Sequence, residues 1–153
     1  MQYRSMAAAA QADGVGLTLV AGYQAADARQ AAYEARVQIY RDKRKTEEEA
    51  ARLAATIQPA ANANEHGTGY AADILSADDP QQDTGFAETR AYEWLTAYAA
   101  EYGFILRYPQ DRQAATGIVF EPWHWRYVGV ENALAIRASG LSLEEFITLQ
   151  RAD

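Results

Sequence analysis

The chain has 153 residues, 49% of them hydrophobic and 23% charged, a balance that predicts one folded domain over residues 1–153 and excludes an intrinsically disordered chain. Lys and Arg number 14 against 21 Asp and Glu, a formal charge of −7; with no basic block beyond Arg41–Lys45, nucleic acid is not an expected partner. No apolar run approaches the ~20 residues of a membrane span, so the domain itself is not expected to be embedded in a bilayer.

Ala7 to Ala12 reads as a short helix ending in the turn cluster Asp13–Gly16. Leu17 to Val20 has strand composition and is stopped by Gly22. From Asp27, taken as an N-cap, Tyr33, Val37 and Tyr40 fall on one helical face. Arg41 to Lys45 reads as a solvated connection. Thr46 and Glu49 form a capping box for a helix with the stripe Ala50, Leu53, Ala54 and Ile57, closed by Pro59. Residues 60–69 are loop-like, Tyr70 to Leu75 a strand, and Ser76 to Gly85 another loop. Glu88 to Tyr102 reads as a helix with Gly103 at C′. Phe104 to Tyr108 is a strand, Pro109 to Thr116 a loop, and Ile118 to Val128 a strand or hairpin broken by Pro122. Two helices close the chain, Glu131 to Ser139 before Gly140, then one capped by Ser142 and Glu145 that runs through Leu149. The irregular alternation predicts an α+β fold with a small, mainly antiparallel sheet and helices packed around it.

Cysteine is absent, which removes disulfides, thiolate nucleophiles and sulfur-ligated zinc. The N-terminal residues are too short and too polar for a secretory h-region. That leaves a cytoplasmic protein, or an exported one whose signal or anchor lies outside these residues. All histidine chemistry must use His66 and His124. In Glu65–Asp73 a His and an Asp stand seven positions apart, with glycines that allow a loop-borne imidazole to turn toward a strand-borne carboxylate. In Glu121-Pro122-Trp123-His124 the proline supplies a kink that can bring Glu and His to one side. Together His66, Asp73 and His124 match the donor set of a catalytic zinc site, with Glu121 left to carry protons. Spacing alone leaves other uses open: a His in a glycine-rich loop also serves as a surface or capping residue, and Asp73 can simply end a strand.

Ala21-Gly22-Tyr23, Glu65 to Asp73, Tyr102 to Pro109, Thr116-Gly117 and Glu121 to Gly129 together resemble the VanY-type D-alanyl-D-alanine carboxypeptidases. These are zinc peptidases of the hedgehog/DD-peptidase fold, a group that includes L,D-carboxypeptidases and phage L-alanyl-D-glutamate endolysins. Gly140 to Phe146 resembles the closing segment of that family, so the likeness runs from about Met6 to Ile147. It implies that His66, Asp73 and His124 bind Zn2+ and that Glu121 is the general base and acid. It further implies a peptidoglycan stem peptide as substrate, release of C-terminal D-alanine with D,D- or L,D-specificity, a monomer, and work in the bacterial cell envelope or outside the cell. A peptidoglycan endopeptidase and a weakly active wall-peptide-binding domain are the alternatives. Of the flanking tryptophans, at least one of Trp123 and Trp125 is expected in the core, as is Trp94.

The chain departs from the family pattern where substrate is held. Members usually read Ser-Gly-Tyr-Arg with Gln five residues later, whereas Gln24 stands at the Arg position and Arg29 at the Gln position. Asn64 replaces the Ser two residues before the first ligand. Gln24, Arg29 and Asn64 are therefore the candidates for holding a terminal carboxylate. Arg29 is expected either to reach into the zinc cleft in place of the missing arginine or to form a surface ion pair, for example with Glu34.

Overall fold

Among the described residues, 2–152, the computed structural model contains seven α-helices around one four-stranded sheet, every paired strand antiparallel. Met1 and Asp153, the ends of the expected domain, lie outside the described residues. The order is α1 (Gln2–Ala12), β1 (Leu17–Ala21), α2 (Ala26–Asp42), α3 (Glu47–Ala55), β2 (Ala71–Ser76) and α4 (Arg90–Tyr98), then β3 (Phe104–Leu106), α5 (Gln113–Thr116), β4 (His124–Tyr127), α6 (Val130–Ser139) and α7 (Leu143–Gln150). In space the strands run β1-β2-β4-β3.

Side chains alternate across a strand, and that alternation separates core from site. Ala72 and Ile74 of β2 and Trp125 of β4 enter the largest apolar cluster, beneath Met6 and Ala10 of α1 and Ala91, Trp94 and Leu95 of α4. Asp73 and His124, one step along each strand, therefore belong to the opposite face. They are also direct partners in the β2–β4 register, where facing side chains are close neighbours. A smaller cluster of Ile105, Ala133, Ile136 and Phe146 joins β3 to α6 and α7. A third, Val37, Ala50 and Ala54 with Tyr33 and Tyr40 beside it, holds α2 against α3 as a hairpin.

Both capping boxes form as the sequence predicts, Thr46 with Glu49 and Ser142 with Glu145. Helix α2 starts differently: its N-cap is Ala25, with no side-chain cap, while Asp27 sits in the first turn and accepts from the Ala28 N–H. The expected helix over residues 88–102 is two pieces. Thr89 caps α4 at the Tyr92 N–H, and a 3-10 turn, Ala99–Tyr102, carries the chain to Gly103, whose φ of 85° is the left-handed C-cap. The long strand expected over residues 118–128 shortens to β4, because Glu121–His124 is a turn closed by the His124 N–H donating to the Glu121 carbonyl at 3.1 Å. Proline, with its fixed φ and no N–H, suits the second place of such a turn.

Candidate metal centre and active site

A cleft of about 550 Å³ opens between the polar face of the sheet and the α2–α3 hairpin. His66, Asp73, Glu121 and His124 all line it, and each is buried. His66 sits in a 3-10 turn, Glu65–Thr68, that Asn64 caps by accepting the His66 N–H at 3.0 Å. Gly69, at φ 74°, then reverses the chain into β2. The turn is tied to the start of α2 by the Gln24 N–H, which donates to the His66 carbonyl at 3.1 Å.

One ligand atom from each of His66, Asp73 and His124 lies within 4.8 Å of the others. The His66 Nδ1 is 2.7 Å from the Gly22 carbonyl oxygen. A carbonyl only accepts, so Nδ1 carries the proton and Nε2 presents a bare lone pair to the cluster. That Nε2 is 3.4 Å from Asp73 Oδ1, and the Nδ1 of His124 is 3.3 Å from the same oxygen. Asp73 Oδ1 is buried without a hydrogen-bond partner. Such an orphan is costly, and a divalent cation shared with two imidazoles is what that donor set fits. The other carboxylate oxygen, Oδ2, is held by Gln82 Nε2 at 3.1 Å.

His124 turns its other nitrogen outward: Nε2 faces Glu65 Oε2 at 3.7 Å. At that separation the contact is electrostatic rather than a hydrogen bond, both atoms being buried without another partner; a carboxylate so placed is the outer partner that orients a metal-binding imidazole. Glu65 is fixed in turn by Arg107 Nε at 2.8 Å and Arg126 Nη1 at 3.2 Å. Arg107 also donates to both carboxylate oxygens of Glu144 on α7. The terminal helix is thereby connected to the ring of His124. Sequence reasoning missed Glu65, Arg107, Glu144 and Gln82; the Glu-His pair at Glu65-His66 was the one available hint.

Charge in the metal-free cluster follows from this packing. Burial alone would raise the Asp73 carboxyl, but the two imidazoles against it, His124 before His66, outweigh burial and bring it to about 2. Burial would likewise lower His124, yet Asp73 and Glu65 hold its proton up to about 9. Glu121 is pushed up to about 7, first by burial and then by the charge of Asp73, with His124, His66 and Arg36 pulling the other way. Its Oε2 lies 3.5 Å from His124 Nδ1. One carboxyl is thus committed to its anion and the other poised near neutrality, the split expected of a structural anion and a proton carrier.

The expected substrate-holding residues are not all in one place. Gln24 and Asn64 line the cleft. Arg29 does not enter it: its guanidinium lies on Gly67, leaving no room for a Cβ there, and donates to the backbone carbonyls of Gln24 and, at 3.2 Å, Ala61. Nor does it pair with Glu34, which accepts from Gln30 Nε2 at 2.9 Å. The reach into the cleft expected of Arg29 fails because its first helical turn points toward the loop below the site. Trp123 lines the cleft, while Trp125 and Trp94 are core residues.

A family model described as VanY, D-alanyl-D-alanine carboxypeptidase, matches residues 1–130. A D-alanyl-D-alanine carboxypeptidase of Enterococcus faecalis is 37% identical over 143 residues, which cover 94% of this chain and 52% of the relative. The chain thus spans about half the length of that curated relative. Among solved structures, a variant of the vancomycin-resistance D,D-pentapeptidase VanY in complex with Zn(II) superposes with a TM-score of 0.84 at 34% identity, covering 95% of this chain and 79% of the other. VanYB in complex with D-alanine-D-alanine gives a TM-score of 0.86 at 35% identity, covering 96% and 78%. With a family match over most of its length and this fold, the chain belongs to the VanY D-alanyl-D-alanine carboxypeptidase family.

Proposed function

We propose that this chain is a zinc carboxypeptidase domain that removes C-terminal D-alanine from peptidoglycan stem peptides. The observation that carries the reading is the buried, otherwise unpartnered Asp73 Oδ1 facing two imidazole nitrogens, with Glu121 beside them. The relatives solved with Zn(II) and with D-alanine-D-alanine support the metal and the substrate class.

In this reading His66, through Nε2, His124, through Nδ1, and Asp73 hold the ion. Zinc in such a site supplies Lewis acidity, polarising a carbonyl and making water acidic enough to ionise near pH 7. The remaining work falls to side chains of this chain. The Gly22 carbonyl and Glu65 keep both imidazoles in the tautomers that leave the inward nitrogens free. Glu121 takes the proton of the water that attacks the scissile carbonyl, and delivers it to the departing amine as the C–N bond breaks. A carboxyl near pKa 7 is suited to both transfers. The products are D-alanine and a peptide shorter by one residue.

Gln24, at the family arginine position and in the cleft, favours a second reading: a wall-peptide-binding domain with weak turnover, since losing one oxyanion donor costs about 10²–10³ in rate. Either way the domain works as a monomer at the bacterial cell envelope; among the described residues no helix is long and apolar enough to cross a membrane. Mass spectrometry of products from defined tetrapeptide and pentapeptide stems, with zinc and with a chelator, tests the proposal. Zinc-dependent loss of one D-alanine is expected, and the stem that loses it assigns L,D- or D,D-specificity. Intact peptides at high protein concentration would leave the binding domain, and cleavage only within cross-linked fragments an endopeptidase.

A further inference from the structure

The cleft is crowded with negative charge: Glu65, Asp73, Asp83 and Glu121 all line it. Against them stands one Lys or Arg among the lining residues, Arg36 of α2. Every other arginine near the site is already engaged, Arg107 and Arg126 with Glu65 and Arg29 with backbone carbonyls. Arg36 is half-buried and lines the cleft, and among the described residues its guanidinium makes no hydrogen bond or ion pair. Its nitrogens are not among the buried unpartnered atoms, so all five donors of the guanidinium remain free for a ligand entering the cleft.

We propose that Arg36 is the specificity residue of the cleft: it takes the free C-terminal carboxylate of the bound peptide as a charge-assisted, forked hydrogen-bond pair, with the neutral amides of Gln24 and Asn64 lining the same space. A peptide carboxylate entering an acidic cleft needs such a partner, and a guanidinium matches both of its oxygens at once. The cation missing at position 24 is thus supplied from the third and fourth turns of the same helix hairpin rather than from its entry loop. The inference rests on the carboxypeptidase reading for the identity of the ligand.

Binding to a protein disabled in turnover tests it. In zinc-loaded Glu121→Gln, calorimetry gives the affinities of diacetyl-L-lysyl-D-alanyl-D-alanine and of its C-terminal amide. The acid is expected to bind about ten- to a hundredfold tighter than the amide, the range of a charged hydrogen-bonded contact. Adding Arg36→Gln should bring the two within about twofold by weakening the acid alone, and Arg36→Lys should keep part of the preference, having charge without the fork. An acid-over-amide ratio unmoved by Arg36→Gln, or absent before it, overturns the proposal. The two readings separate cleanly. If the unsubstituted protein releases no D-alanine yet the ratio depends on Arg36, the peptidase falls and the carboxylate site stands. If D-alanine is released with an Arg36-independent ratio, the reverse holds.

Discussion

The sheet wall and the hairpin wall of the cleft rest on cores of very different size. Asp73 and His124 project from paired positions of β2 and β4, and behind them lies the largest apolar cluster, with Ile74 fully buried and Trp125 2% exposed. Their side chains are locked by register on one side and by Glu65 and Gln82 on the other. The facing wall, which carries Gln24, Arg36, Ile57 and Gln58, rests on a smaller cluster, Val37, Ala50 and Ala54 with the part-buried Tyr33 and Tyr40 beside them. Less apolar area is buried there than under the sheet, so local opening should cost less. The departures at positions 24 and 29 belong to the hairpin side, and the third, Asn64, caps the turn that carries His66; the metal donors and Glu121 themselves keep the family pattern. Chemistry sits where the scaffold is rigid, and selection of the substrate sits where sequence can change without disturbing it.

If that division is real, substitutions on the sheet wall should strike kcat and metal affinity, and those on the hairpin wall KM and preference. Glu121→Gln should have the largest effect, lowering kcat by about 10²–10⁴ while zinc content, measured by atomic emission, stays unchanged. Residual activity above a tenth would remove Glu121 as the proton carrier.

The charges of the sheet wall also shape stability. Glu65 is held at about 2 rather than 4.5: burial pushes it up, but His124, Arg107 and Arg126 prevail. Its stabilisation is therefore complete above pH 4.5 and lost as pH falls toward 2, about 3 kcal/mol by linkage. His124 works in the opposite sense. Its folded-state proton, kept to about pH 9 against 6.5 unfolded, stabilises fully below 6.5 and is gone above 9, again about 3 kcal/mol. Glu121, raised from 4.5 to about 7, adds a loss that begins above pH 4.5, so metal-free protein should be most stable near pH 4.5 in urea titrations, and zinc, which replaces the His124 proton, should remove the part of the alkaline loss that falls between 6.5 and 9. An alkaline loss unchanged by zinc would place His124 outside the metal shell. Glu65→Gln should weaken zinc binding about 10–100-fold in chelator competition, since it removes the charge that orients the His124 ring; unchanged affinity would reduce Glu65 to a partner of the arginines.

Local signals carried most of the fold. The capping boxes at Thr46 and Ser142, and Gly103 at a helix end, are determined within four residues of sequence, and all three form. Boundaries were less exact. The residues before β4 turn because the His124 N–H closes on the Glu121 carbonyl; Pro122 marks that break in the sequence, but not how far the strand shortens after it. At the site, donor types and spacing pointed to His66, Asp73, His124 and Glu121, whereas their meeting depends on β2–β4 register. Arg36 left no trace in the sequence. A charged residue beside the buried Val37 reads as solvated helix surface, and only the fold of the hairpin over the sheet turns it toward the cleft.

Arg29 gives the finest test of the two-wall division, because the family motif and the structure assign it different work. Read as a transplanted arginine, it would polarise substrate, and Arg29→Ala would cost at least tenfold in kcat. Its guanidinium instead ties the Gln24 and Ala61 carbonyls together and packs on Gly67, next to the first metal donor. Losing those bonds on a part-buried side chain should cost about 1 kcal/mol, a fall of roughly 2–4 °C in Tm for a chain of this size. Turnover at saturating substrate should stay within about threefold of the unsubstituted protein, and the acid-over-amide preference should be retained. A large fall in kcat with Tm unchanged would mean that Arg29 swings into the cleft during the reaction, and the hairpin wall would then share in the chemistry as well as the selection.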